Sequence, residues 1–166
     1  MKEQCAFVHC EHVSERTFDQ VVSAFEAAVS TTDAAAFRKL TSASADAQDF
    51  EARVRAIEGS SGFVRFLDID HGAWMARIGM SARAKLYVLG NPLIARTMLQ
   101  HDLGVGLNVP VRLMIYEDPG TSKARLAYDL PSSLMDRLRN EKVNAAARRL
   151  DEKLIALAES VTGAQA

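Results

Sequence analysis

The chain has 166 residues, of which 48% are hydrophobic and 25% charged, and its formal net charge is −1. These values are typical of one globular domain, here 1–166, that is large enough to bury a hydrophobic core. The near-zero charge does not favour a nucleic-acid partner, and no apolar run is long enough to predict a membrane-spanning helix or a membrane partner. No signal-peptide core follows Met1, so we expect a cytoplasmic protein.

The first strand is predicted at Cys5–Val13, where cysteines and histidines are concentrated. Cys5 and His9 would lie on one face of this strand, and Cys10 and His12 on the other. A metal site needs ligands that converge on one point. We therefore predict no metal site in this strand.

The first helix is predicted to begin at Thr17, because Thr17 and Gln20 form a capping-box pattern before an apolar stripe. The segment 30–61 follows, is rich in Ala, Ser, Asp and Thr, and contains helical patterns at Asp33–Leu40 and Asp46–Ile57. We interpret it as a helical insertion that is dispensable for folding and carries function, as long insertions commonly do. The alternative is a flap that only packs on the rim of the sheet.

Strand patterns recur in the rest of the chain, at Phe63–His71, Leu86–Leu89, Val109–Glu117 and 123–128. Asn91 and Pro92 end the second of these and begin a helix, since Asn caps helices and Pro fits their first turn. A turn at Asp118–Thr121 joins the last two strands into a hairpin. This order predicts an α+β fold, a two-layer sandwich of a mainly antiparallel sheet with helices on one face.

The final helix is predicted over 131–162. Its apolar residues step by four and three, as in a coiled-coil seam: Val143, Ala147, Leu150, Leu154, Leu157 and Val161. Such a helix either lies along the sheet or supplies a dimer interface. Because the sheet is expected to have open edges as well, we predict a homodimer.

Short motifs occur in a fixed order along the middle of the chain. They are Ile69-Asp70-His71, Gly90-Asn91-Pro92, Gln100, Leu107-Asn108-Val109-Pro110, Glu117-Asp118 and Tyr128-Asp129. In order and spacing this set resembles the domain-of-unknown-function family 302, over about 62–138 and more weakly over 5–29. The resemblance implies a curved sheet of the TATA-binding-protein-like kind and no established activity. It does not imply DNA binding, since folds of one kind serve many functions.

The candidate ligand site combines residues at the ends of predicted strands. His71 is placed on an apolar strand face with Asp70 beside it, and Asn91 stands at the start of the following helix. Met98 and Met75 are the expected walls. The sequence therefore predicts a largely apolar pocket that holds an unidentified small molecule.

A small-molecule-binding or regulatory domain is the leading functional hypothesis, because the chain has none of the common catalytic motifs. One alternative is a haem- or metal-binding redox-associated protein in which His71 and a methionine are ligands. Another is an enzyme that uses His71 as an acid or base. The sequence leaves open whether the protein is an enzyme and what its cofactor is.

Overall fold

Within residues 2–163, the part of the chain that the computed structural model describes, six strands and seven α-helices follow one another. The strands are β1 (His9–Ser14), β2 (Ser30–Thr31), β3 (Val64–Asp70), β4 (Ala84–Gly90), β5 (Val111–Glu117) and β6 (Ala124–Asp129). The helices are α1 (Phe18–Ala28), α2 (Ala34–Ala43), α3 (Ala47–Ile57), α4 (His71–Ala76), α5 (Pro92–Leu99), α6 (Pro131–Met135) and α7 (Glu141–Thr162). Short 3-10 turns at Leu103–Leu107 and Asp136–Leu138 lie between them.

The strands form one open sheet in the order β1–β6–β5–β4–β3–β2. Neighbouring strands are antiparallel, except that β2 runs parallel to β3. One face of the sheet carries the core, because alternate residues such as Tyr87, Leu113 and Leu126 point towards α1 and α7 and are buried. The predicted α+β fold with a mainly antiparallel sheet is confirmed.

The apolar seam of α7 faces this core. Its residues are all buried in the cluster that α7 forms with α1 and the sheet: Val143, Ala147, Leu150, Leu154, Leu157 and Val161. Of the two readings of the seam, the helix lying along the sheet is therefore correct. The alternative in which this seam supplies a dimer interface is excluded, because the core of the chain already covers it.

The helix predicted over 131–162 is interrupted and forms α6 and α7. Arg139 has a left-handed backbone with φ of 50° between them, a conformation that a right-handed helix cannot include. Asn140 then caps α7, since its side chain accepts hydrogen bonds from the N–H groups of Lys142 and Val143.

The segment 30–61 contains the two predicted helices, α2 and α3, each with an Asp at its N-cap. It is joined to the core more closely than a flap on the rim would be. Ser30–Thr31 form β2 beside β3, and Val54 of α3 has no exposed surface. The Ser30 hydroxyl also donates a hydrogen bond to the carbonyl of Ile57, which ties the two ends of the segment together.

The first strand begins at His9, so Cys5 lies outside the sheet and is exposed. Cys10 and His12 share the face that meets the core, as the alternation predicts. The ring of His12 stacks on Tyr128, and its Nε2 is 3.1 Å from the Tyr128 hydroxyl. Burial raises the pKa of the Cys10 thiol. Among residues 2–163, no three His, Cys, Asp or Glu side chains are placed to share a metal ion.

Candidate functional site: an aromatic cavity at the Asn91 turn

An open cavity of about 680 Å³ lies where α2, α3, α5 and the start of β5 meet. We call it the aromatic cavity, and its principal walls are Phe37, Phe50, Phe66, Ile94, Leu99 and Pro110. Small-molecule sites commonly enclose about 300–1,000 Å³ and are lined mainly by apolar side chains. In size and lining, the aromatic cavity therefore suits a small apolar ligand.

Phe66 reaches the cavity wall because β3 is irregular at this point. The pairing of β3 with β4 changes register between Arg65 and Leu67, which makes Phe66 the extra residue of a β-bulge. A bulge re-aims the side chain that it inserts. The Phe66 ring meets Phe37 of α2 edge to face, with ring centroids 5.4 Å apart. The bulge thus couples the sheet to the segment 30–61.

Asn91 fixes α5 at the edge of the cavity. Its Oδ1 accepts a hydrogen bond from the N–H of Leu93 at 2.8 Å and so caps the helix. Its Nδ2 donates to Glu58 Oε1 at 2.9 Å and to the carbonyl oxygen of Gly62 at 2.8 Å. The side-chain amide is thus occupied by protein partners. Asn91 borders the cavity, and there it positions α5 against the end of α3.

A second depression, which we call the basic groove, lies beside the cavity between α3, α5 and α7. Its charged residues are Arg55, Arg96, Arg149, Lys153, Glu51 and Glu58. Arg55 donates a hydrogen bond of 2.8 Å to Glu51, and this bond lowers the pKa of the Glu51 carboxyl group. Arg96 lies 3.7 Å from the same carboxylate and is 60% exposed. The groove is therefore polar and exposed to solvent, whereas the walls of the cavity are mainly apolar.

His71 and Asn91 lie at opposite ends of the β3–β4 pair. The register places Asp70, the neighbour of His71, beside Lys85 at the start of β4, while Asn91 follows the last residue of β4. A strand of this length spans roughly 20 Å, at about 3.3 Å per residue. The prediction that His71 and Asn91 share one pocket is therefore wrong.

Asp70 and His71 instead form the start of α4. The Asp70 carboxylate caps this helix by accepting a hydrogen bond of 2.8 Å from the N–H of Ala73. His71 was expected at the end of a strand and is the first residue of the helix. Its Nδ1 accepts a hydrogen bond of 3.1 Å from the indole Nε1 of Trp74, which is 50% exposed. One nitrogen of the imidazole thus has a partner within its own helix.

The two methionines lie apart from each other. Met98 has no exposed surface and belongs to the core. Met75 is half-buried on α4, one turn after His71. Of the five predicted site residues, Asn91 borders the aromatic cavity, three gather at α4, and Met98 packs in the core.

The sequence did not identify the phenylalanines of the cavity as site residues. Helical spacing groups Phe37 with Leu40 and Phe50 with Val54, but periodicity does not reveal what an apolar face contacts. The available signal was the presence of two phenylalanines in a segment that is otherwise rich in small and polar residues.

Comparison with characterised proteins finds similarity to longer chains named as channels. The chain is 33% identical over 86 residues to the fluoride-specific ion channel FluC 1 of Brucella suis biovar 1 (strain 1330), which covers 51% of this chain and 34% of that protein. The match to FluC 1 of Brucella abortus biovar 1 (strain 9-941) is also 33% identical over 86 residues, covering 51% of this chain and 32% of that protein. The chain thus spans about a third of the length of these relatives. Within residues 2–163, no helix has both the length and the apolar character needed to cross a membrane.

Comparison of folds finds a crystal structure of an uncharacterized conserved DUF302 protein from Bacillus stearothermophilus. The TM-score is 0.66 at 15% sequence identity, and the match covers 94% of this chain and 99% of that one. The finer likeness to the TATA-binding-protein fold stays a prediction.

The sequence model described as "Domain of unknown function DUF302" matches residues 38–161. This match begins inside the segment 30–61 and continues through most of α7. The chain belongs to the DUF302 family.

Proposed function

We propose that this protein binds a small, largely apolar molecule in the aromatic cavity. The observation that carries the proposal is the cavity itself, an open space of about 680 Å³ with three phenylalanines in its walls. A cavity of this kind exposes apolar surface to water until a ligand covers it. Burial of apolar surface contributes about 25 cal/mol per Å², which provides the driving force for binding.

Two features support a site that is ready to accept a ligand. The edge-to-face contact of Phe37 with Phe66 holds these rings in place. The three hydrogen bonds of Asn91 hold α5 against the loop between α3 and β3. A wall that is ordered before binding loses little conformational entropy when the ligand enters.

Titration with N-phenyl-1-naphthylamine tests the proposal. This probe is uncharged and becomes fluorescent in an apolar site. We expect saturable binding to the wild-type protein and much weaker binding to Ala95→Phe, because Ala95 lines the cavity and the larger side chain would project into it. The matched control is Ala27→Phe, which adds the same ring to an exposed position of α1. Absence of saturable binding by the wild-type protein, or equal binding by Ala95→Phe, would contradict the proposal.

The alternatives built on His71 gain no support from its position. A haem held by His71 and Met98 would need these side chains to face one another, whereas His71 begins α4 and Met98 is buried in the core. Acid–base catalysis would need a substrate-sized site around His71 and a partner for its free nitrogen. Both alternatives therefore rank below a binding protein.

A regulatory role is the second candidate function. It is favoured by the similarity of half of this chain to about a third of proteins named as fluoride-specific ion channels. A ligand-binding domain could act there on a transport protein. The test is the fluoride sensitivity of cells that lack this protein, complemented with the wild type or with Ala95→Phe. Equal sensitivity in all strains would contradict this role.

We keep the homodimer as part of the proposal, with an interface other than the α7 seam. The support is the outer edge of β1, which pairs with no further strand among residues 2–163, and the exposed Leu67 and Ile69 on β3. Light scattering at micromolar concentration should give twice the chain mass. A monomer across that range would remove the homodimer from the proposal.

A further inference from the structure

The aromatic cavity and the basic groove are adjoining parts of one surface. Asn91, Ile94 and Arg96 line both of them. Ile94 and Arg96 lie two positions apart on α5, so an apolar wall and a cationic rim lie within one helical turn. A molecule that fills the cavity at this rim would place its outer end in the groove.

The groove has an excess of positive charge, with four cationic side chains and two carboxylates. Glu51 is shared between Arg55 and Arg96. Within residues 2–163, Arg149 and Lys153 have no carboxylate within ion-pair distance. These two lie four residues apart on α7 and therefore on the same helix face.

The two carboxylates of the groove, Glu51 and Glu58, already have other ion-pair or hydrogen-bond partners, and the lining keeps more cations than carboxylates. Glu58, the second carboxylate, accepts the hydrogen bond from Asn91. Lys153 extends its ammonium group over Gly62, where a Cβ would lie 3.8 Å from Nζ. A ligand anion is thus the partner that this rim lacks.

We propose that the ligand is a small amphipathic monoanion, with an apolar chain in the aromatic cavity and a carboxylate in the basic groove near Arg96, Arg149 and Lys153. This inference rests on the proposed binding function and specifies the chemical class of the ligand. A guanidinium group pairs with a carboxylate in a planar, bidentate geometry. The walls of the cavity cover the apolar chain of the ligand, and the groove leaves its carboxylate partly hydrated. The anion is therefore bound without the cost of full burial.

Competition against N-phenyl-1-naphthylamine tests this class with two ligands that share a chain length, decanoate and decanol. Decanol is the less water-soluble of the two, so an apolar site without a cationic rim would bind decanol more tightly. We expect decanoate to bind about threefold to tenfold more tightly than decanol, because its carboxylate forms partly exposed charge pairs with the rim that decanol cannot form. Raising the salt concentration should weaken decanoate alone, because salt screens exposed charges.

The double variant Arg149→Gln/Lys153→Gln should lose the preference for decanoate and keep the affinity for decanol. The matched control is Arg148→Gln together with Lys142→Gln, which removes two cations from exposed positions of α7 outside the groove lining. It should keep the preference. Thermal unfolding of both double variants checks that their fold is intact.

The outcomes separate the two proposals. If the neutral probe binds and decanol binds as tightly as decanoate or more tightly, this inference is wrong and the binding function stands. A preference for decanoate that survives Arg149→Gln/Lys153→Gln also overturns the inference. If the neutral probe fails to bind the wild-type protein, the binding function is the proposal that fails.

Discussion

The two ends of the β3–β4 pair each carry an Asp or Asn that caps a helix, but their surroundings are very different. At one end Asp70 caps α4, and at the other Asn91 caps α5. Both caps follow a strand directly. The Asp70 cap leads into an exposed helix with Trp74 half in solvent, whereas the Asn91 cap is 6% exposed and lies beneath α3.

This difference comes from the elements that cover each end. The segment 30–61 folds over the Asn91 end, and α7 passes beneath it, so that residues of α2, α3, α5 and α7 and a β-bulge line a cavity. Neither of these elements covers α4. A polar turn after a strand therefore becomes part of a candidate binding site only where distant elements wall it in. The following substitutions test this contrast, beginning with the largest expected effect.

Asn91→Ala should lower the free energy of unfolding by about 2–4 kcal/mol. The change removes a helix cap, worth about 1 kcal/mol, and leaves Glu58 and the Gly62 carbonyl without a buried donor. Urea denaturation measures the effect. Asn91→Asp is the informative companion, since it keeps the cap and loses both donors. A loss below 1 kcal/mol for Asn91→Ala would contradict the role given to this amide.

Val54→Ala should cost about 2 kcal/mol, because Val54 is fully buried and its removal leaves a void between α3 and the core. Leu67→Ala, at a position on β3 that is 51% exposed, should cost much less. Both values come from the same denaturation experiment. If Val54→Ala and Leu67→Ala both lower the free energy of unfolding only slightly, the prediction that 30–61 is dispensable for folding is supported.

Asp70→Ala should cost about 1 kcal/mol, the typical value for the loss of an N-cap side chain. The effect is smaller than at Asn91 because the Asp70 carboxylate is exposed, and water replaces its hydrogen bond. Asp70→Asn, which keeps a capping oxygen, should recover most of the loss. Destabilisation that matches Asn91→Ala would mean that the two ends are equivalent.

His71→Ala should change stability by less than about 0.5 kcal/mol, as is usual for side chains near the surface. The affinity for the naphthylamine probe should stay within twofold of the wild type, since the aromatic cavity lies at the other end of the strands. Fluorescence titration of His71→Ala with the probe measures this affinity. A large loss of affinity would show that His71 contributes to the binding site.

Local patterns predicted the elements well where the signal lies within a few residues. The capping box of Thr17 and Gln20 forms as expected, and α2 and α3 begin directly after Asp33 and Asp46. The break at Arg139 was missed, because a single left-handed residue leaves the apolar periodicity around it unchanged. The prediction that His71 ends a strand was wrong, because the alternation of Leu67 and Ile69 shows that a strand is present but does not mark where it ends.

The sequence by itself determined the kind of fold, the family, the cap at Asn91 and the apolar face of α7. Each depends on the identity and spacing of residues that are close in the chain, and helix and strand geometry convert that spacing into a face. The tertiary structure decided what those faces contact. It turned the α7 seam inward onto the sheet, placed His71 and Asn91 at opposite ends of two strands, and brought Phe37, Phe50 and Phe66 together around a cavity. These relations depend on packing between segments far apart in sequence, and apolar burial is non-directional, so a pattern that specifies burial does not specify the partner.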